Sequence, residues 1–202
     1  MRKDSAARTL LLGDQPPRAD AERNVDALLA ATHAFVLAGN LDPSAAQIAA
    51  RAGVGVGTLY RRAPRKETLL AAVVVDLLDD VSARATLVAD GSADAWGQFR
   101  TFALAYLEIR QITCRISHAL EEEFNGAVGA AMARTREAFS AMTARLHDRG
   151  AIDSTLTAEE LMVMLASIDP VDATLGLRPD TQRQQAATRR IIDSLRPHAS
   201  SQ

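Results

Sequence analysis

The chain lacks a second cysteine. Cys114 stands alone among 202 residues, so no internal disulfide can form and a reducing, cytoplasmic setting is expected. It also lacks any apolar run approaching the roughly 20 residues of a membrane span, so no membrane partner is expected. Behind Arg2 and Lys3 the only apolar stretch is Leu10-Leu11-Leu12, too short for a signal-peptide core, and export is not expected. There is no nucleophile elbow, zinc-protease helix or recognisable cysteine–histidine pair, so neither enzyme activity nor a catalytic residue nor a cofactor is expected. His118 and the run Glu121-Glu122-Glu123 have a spacing that can hold a metal, but no further His or Cys cluster joins them. A solvated acidic turn is the simpler reading, and no metal is expected.

What is there is an ordinary globular composition, 48% hydrophobic and 24% charged, in a chain long enough for one or two domains with a real core. Residues 1–18 mix charge, glycine and Pro16-Pro17 without periodicity and read as a flexible arm. Its Arg2, Lys3, Arg8 and Arg18 have the composition of a basic arm that touches a DNA groove, against the simpler reading as a disordered tail. From Asp20 the pattern is helical almost throughout. Val25, Leu28, Leu29, Thr32, Phe35 and Val36 recur at three-and-four spacing, and Gly39 closes that helix. Asp42-Pro43-Ser44 opens a short helix ending near Gly53, and Leu69, Leu70, Val73, Leu77 and Val81 mark a long one that fades before Asp90-Gly91-Ser92. Further helices are predicted from Trp96 to about Ile116 and along the stripe Val128, Met132, Thr135, Phe139, Met142 and Leu146 to Gly150. Thr157 and Glu160 form a capping box, Pro170 stops the helix it starts, and a last helix runs from about Asp180 to Leu195. With no convincing strand and no internal repeat, the fold class is all-α.

The net charge of −2 is uninformative, but its distribution is not. Residues 43–66 hold Arg51, Arg61, Arg62, Arg65 and Lys66 and no acid, the footprint of a phosphate-binding face or else of a solvated charged face. Residues 45–64 also have the parts of a helix-turn-helix. Ala49 allows a close helix crossing, Gly53 supplies a turn residue free to adopt left-handed φ, and Ile48, Ala52, Val54 and Leu59 face inward. An ordinary helical hairpin has the same outline. A phosphate-cradling loop at residues 53–57 fails on context, because Gly57 is followed by Thr58-Leu59 rather than Lys-Ser/Thr and the run follows a helix rather than a strand.

The stretch IAARAGVGVGTLYRRAPRKETLL resembles the signature of the tetracycline-repressor (TetR) family of bacterial regulators. The matches are Ile48, Ala49, Ala52, Gly53, Val54, Gly57, Leu59, Tyr60, Pro64, Lys66, Leu69 and Leu70, within a resemblance covering about residues 20–72. It implies DNA contacts from Thr58, Tyr60, Arg61 and Arg62 on the recognition helix and a phosphate contact from Lys66. It also implies close DNA approach at Val54, Gly55, Val56 and Gly57, with Ser44 in the DNA-binding set. Two positions depart from the family pattern. Gly55 stands where Ser is frequent, and Ala63 where Phe usually anchors the recognition helix. A missing buried aromatic typically costs about 3–5 kcal/mol unless a neighbour such as Phe35 refills the space.

The resemblance further implies an N-terminal three-helix DNA-binding domain (19–67) joined to a larger helical ligand-binding and dimerisation domain (68–202, with 68–90 as a connecting helix). In that half, Phe99, Phe102, Tyr106, Arg110, Cys114 and His118, with Phe139, offer apolar walls and polar groups for a ligand pocket, or simply core aromatics. Leu161, Met164, Leu165 and Ile168 with Ile191, Ile192 and Leu195 give two apolar faces for a homodimer interface, or for the monomer's own core. The expected function is a DNA-binding transcriptional regulator. It is read as a ligand-responsive repressor that binds a palindromic duplex operator as a homodimer and responds to a small-molecule effector. The rivals are a helical enzyme or small-molecule-binding protein with an incidental basic patch, and an architectural DNA binder without a sensor.

Overall fold

Local capping chemistry sets the helix boundaries. In the computed structural model, which describes residues 5–12, 19–91, 94–117, 120, 125–168 and 180–197, all regular structure is helical. The order is α1 (Ala6–Leu12), α2 (Ala19–Leu37), α3 (Ala45–Ala52), α4 (Val56–Arg62), α5 (Lys66–Asp90), α6 (Ala95–Ser117), α7 (Asn125–Asp148), α8 (Ala158–Ser167) and α9 (Thr181–Asp193).

Ser44 starts α3 with a capping box: its hydroxyl accepts from the Gln47 N–H at 3.2 Å, while Gln47 Oε1 accepts from the Ser44 N–H at 2.9 Å. Gly53 ends it at φ 69°. Its N–H donates to Ala50 O and the Val54 N–H donates to Ala49 O, the paired bonds of a Schellman ending. The same pairing recurs at Gly39 and Gly150, so all three glycines expected to close helices do so. Thr157 and Glu160 form the expected box before α8, and Asp180 caps α9 through the N–H groups of Gln182 and Arg183. Pro170 lies outside the described residues.

The chain divides into two compact units, residues 1–80 with 111–134 and residues 81–110 with 135–202; α5 passes from one to the other without a break. In the first unit α2 packs on α3 and α4, and Val25, Leu28, Leu29, Val36, Ile48 and Leu59 of these helices are buried. The region expected to be a flexible arm contains a helix instead. In α1, Ala7 and Leu11 are buried, and the Arg8 guanidinium is covered against Glu22 (3.8 Å) and Asp26 (3.4 Å) of α2. Arg8 is therefore occupied by two carboxylates rather than held out for DNA.

The second unit has its own core. Phe139 meets Phe102 and Tyr106 edge-on at 5.2 and 5.1 Å between ring centres, an arrangement that aromatic quadrupoles favour. Five residues expected at a dimer interface, Leu161, Leu165, Ile168, Ile192 and Leu195, are buried in this same core. Their side chains are covered by their own chain. Of that set only Met164 and Ile191 stay on the surface, 39% and 45% exposed, with Val163 beside them in sequence.

Three predictions test this local logic. Gly53→Ala forces a Cβ into left-handed backbone and should destabilise by about 1–2 kcal/mol. Gly55, in contrast, caps α4 in extended conformation without a side-chain bond and with open space around it. Gly55→Ser should therefore stabilise by a few tenths of a kcal/mol, both changes being read by thermal unfolding. At α8, the backbone N–H and hydroxyl of Thr157 hold the Glu160 carboxylate below its usual range. Stability from a carboxylate held low is present above its unfolded-state value and is lost as pH falls through the lowered one. Glu160→Gln should thus lower the melting temperature at neutral pH and leave it unchanged in acid where the carboxylate is protonated.

Candidate nucleic-acid interface

Helices α3 and α4 are joined by the reversal at Gly53, with Ile48, Ala49 and Leu59 buried beneath them. With those positions turned inward, α4 presents the opposite side to solvent. Tyr60 is half exposed, Val56, Gly55, Gly57 and Arg61 are exposed, and Val54, Thr58 and Arg62 are half-buried. Tyr60 is 50% exposed on this side of the helix. Thr58 Oγ1 accepts from the Arg61 guanidinium at 2.9 Å, which holds that charge along the helix rather than leaving it free to swing.

Basic groups flank this helix. The Arg51 guanidinium lies 5.3 Å above the Phe35 ring, a cation–π contact. Arg65 Nε is 3.7 Å from Glu67. Lys66, the first residue of α5, donates from Nζ to Asp42 Oδ1. That bond raises the Lys66 pKa above its usual value, and the nearby charge of Asp42 and Glu67 adds to the effect. Ser44 remains exposed, its oxygen used by the α3 capping box. The structure thus brings Ser44, Val54 to Thr58, Tyr60, Arg61, Arg62 and Lys66 onto α3, α4, their turn and the start of α5. Sequence reasoning missed Asp42. It stands one residue outside the acid-free window, and its partner is 24 positions away, beyond any local spacing rule.

Ala63 is fully buried at the end of α4, where its N–H donates to Leu59 O at 2.7 Å. The site therefore keeps an inward-facing position with only a methyl group in it. His33 Nε2 lies 2.9 Å from Asp76 Oδ2 and ties α2 to α5 within the same unit, another pairing too distant in sequence to foresee.

The residues expected to wall a ligand pocket come together only in part. Phe99, Phe102 and Phe139 are buried in the second unit's core and Tyr106 half-buried against them, so these rings fill space rather than enclose it. Arg110 is half-buried, Cys114 is exposed in the other unit, and His118 and Glu121 to Glu123 lie outside the described residues. An open groove of about 740 Å³ does exist in the second unit, along Arg84, Leu87, Val88, Asp94, Gly97, Gln98, Arg100 and Thr101, and shares only Phe102 with that expectation. Among the described residues, no group of three or more His, Cys, Asp or Glu could hold a metal ion, and no helix is long and apolar enough to cross a membrane.

Residues 27–73 match the model of the bacterial regulatory proteins of the tetR family. No curated protein matches the chain at a significant level. Among solved structures, the chain is similar to a TetR transcription regulatory protein from Mycobacterium vanbaalenii, with 25% identity over 90% of this chain and 100% of that one, at a TM-score of 0.64. A TetR transcriptional regulator from Streptomyces coelicolor is also 25% identical, over 86% of this chain and 99% of that one, at a TM-score of 0.51. A putative TetR-family regulator from Mesorhizobium loti shares the fold at 20% identity and a TM-score of 0.59, over 89% of this chain and 97% of that one. The helix-turn-helix at residues 45–62 lies inside the family match, so residues 27–73 form a DNA-binding domain of the tetR-regulator type, and the chain is similar in fold to solved TetR-family transcription regulators.

Proposed function

We propose that the chain acts in the cytoplasm as a homodimeric repressor, binding a palindromic duplex operator and releasing it when a small molecule occupies the second unit. The observation that carries the reading is the exposed face of α4, where Tyr60 and the Thr58-held Arg61 stand beside the acid-free run of residues 43–66. Arginine and hydroxyl groups on a short helix suit base edges in a major groove, and the surrounding cations suit phosphates. Two copies of that helix would meet half-sites about 34 Å apart, or a multiple of that spacing. Met164 and Ile191 are the apolar residues of the expected dimer set that remain free to meet a second subunit. An effector would shift the dimer population toward a spacing that no longer fits the operator. It would use the groove beside Phe102 or open the Phe102–Tyr106–Phe139 cluster. None of this requires a catalytic group.

Selection of duplexes from a random-sequence pool should enrich a palindrome. Binding to it should weaken at least tenfold in both Tyr60→Ala and Arg61→Ala, given about 1–3 kcal/mol per good base contact, with melting temperatures unchanged. A pool that yields no common sequence, or wild-type affinity in both variants, would reject the reading.

A further inference from the structure

We infer that Asp42 is a built-in competitor of DNA phosphate for the Lys66 ammonium, and so sets the affinity and salt sensitivity of the DNA face. The inference rests on the reading of Lys66 as a phosphate contact.

Both ends of the contact are held in place by their surroundings. Asp42 directly precedes Pro43, which is buried and fixed in φ, and Ser44, which is pinned by its capping box; the Asp42 N–H donates to Asn40 Oδ1 at 3.3 Å. Lys66 opens α5, and its side chain is 33% exposed beside Asp42. The Asp42 side chain is 80% exposed. An ion pair so open to water contributes at most about 1 kcal/mol, which makes it a poor structural strut. It is weak enough to exchange with a DNA phosphate, which likewise carries one negative charge over two accepting oxygens.

The consequence is specific. Before DNA arrives, the carboxylate already neutralises Lys66. When a phosphate takes its place, Asp42 is left as an unpaired negative charge on a face that meets a polyanion. The counterion released from the phosphate is then offset by a cation drawn to Asp42, and the Lys66 contact adds little to the salt dependence of binding.

The test uses Asp42→Asn, Lys66→Ala and the double variant in the full chain. Affinity is measured against salt by fluorescence anisotropy on the selected duplex and on a short mixed-sequence duplex. Asp42→Asn should bind about two- to fivefold tighter per half-site at low salt. Its plot of log affinity against log salt should steepen by about 0.9 per Lys66–phosphate contact, and the double variant should lose both gains. Asp42→Asn that binds like the wild type, or more weakly because the carboxylate positions Lys66, overturns the inference. If Lys66→Ala weakens binding while Asp42→Asn is neutral, the phosphate contact stands and the competition fails. If Lys66→Ala has no effect in the Asp42→Asn background, the phosphate role itself fails and takes the inference with it. Equal melting temperatures across the set confirm that folding is not what changed.

Discussion

At Gly53 the backbone takes φ 69° and returns two N–H groups to the carbonyls of α3, so that α4 leaves at a fixed angle after only three intervening residues. The rest of the DNA-binding unit depends on that reversal. It accompanies the burial of Ile48 and Leu59, on different helices that both contact α2, while Val56, Tyr60 and Arg61 of α4 are exposed. A helix of this length has little intrinsic stability. It exists because Leu59 and Ala63 are buried, and the residues it offers to solvent are free to be chosen for binding.

The electrostatics of that face are less simple than the run of basic residues suggests. Arg51 rests on an aromatic ring, Arg61 is held by Thr58, Arg65 lies near Glu67, and Lys66 donates to Asp42. Each of these cations already has a contact within the chain. Arg8 shows the limiting case: a basic residue of the N-terminal segment is taken up by two acids of α2.

The second unit is built from the same elements with a different outcome. Its capped helices α8 and α9 turn Leu161, Leu165, Ile192 and Leu195 into a core already occupied by Phe99, Phe102 and Phe139. Most of each apolar stripe is buried within the chain, and Met164 and Ile191 are the residues of that set on the surface.

The sequence by itself determined what short-range chemistry controls. A capping box needs only residues three apart, and a helix ending needs only a glycine free to take positive φ. Ser44, Thr157, Gly39, Gly53 and Gly150 therefore mark helix ends that are legible without coordinates. The family signature is legible for the same reason, since it lies in one unbroken stretch through the turn. Tertiary structure alone decided which apolar face was covered by what, because periodicity identifies a face and not its neighbour. It alone brought Asp42 to Lys66 and Asp76 to His33, pairs separated by 24 and 43 positions. Electrostatic contacts follow distance in space, and chain spacing carries no information about them once the backbone has turned back on itself.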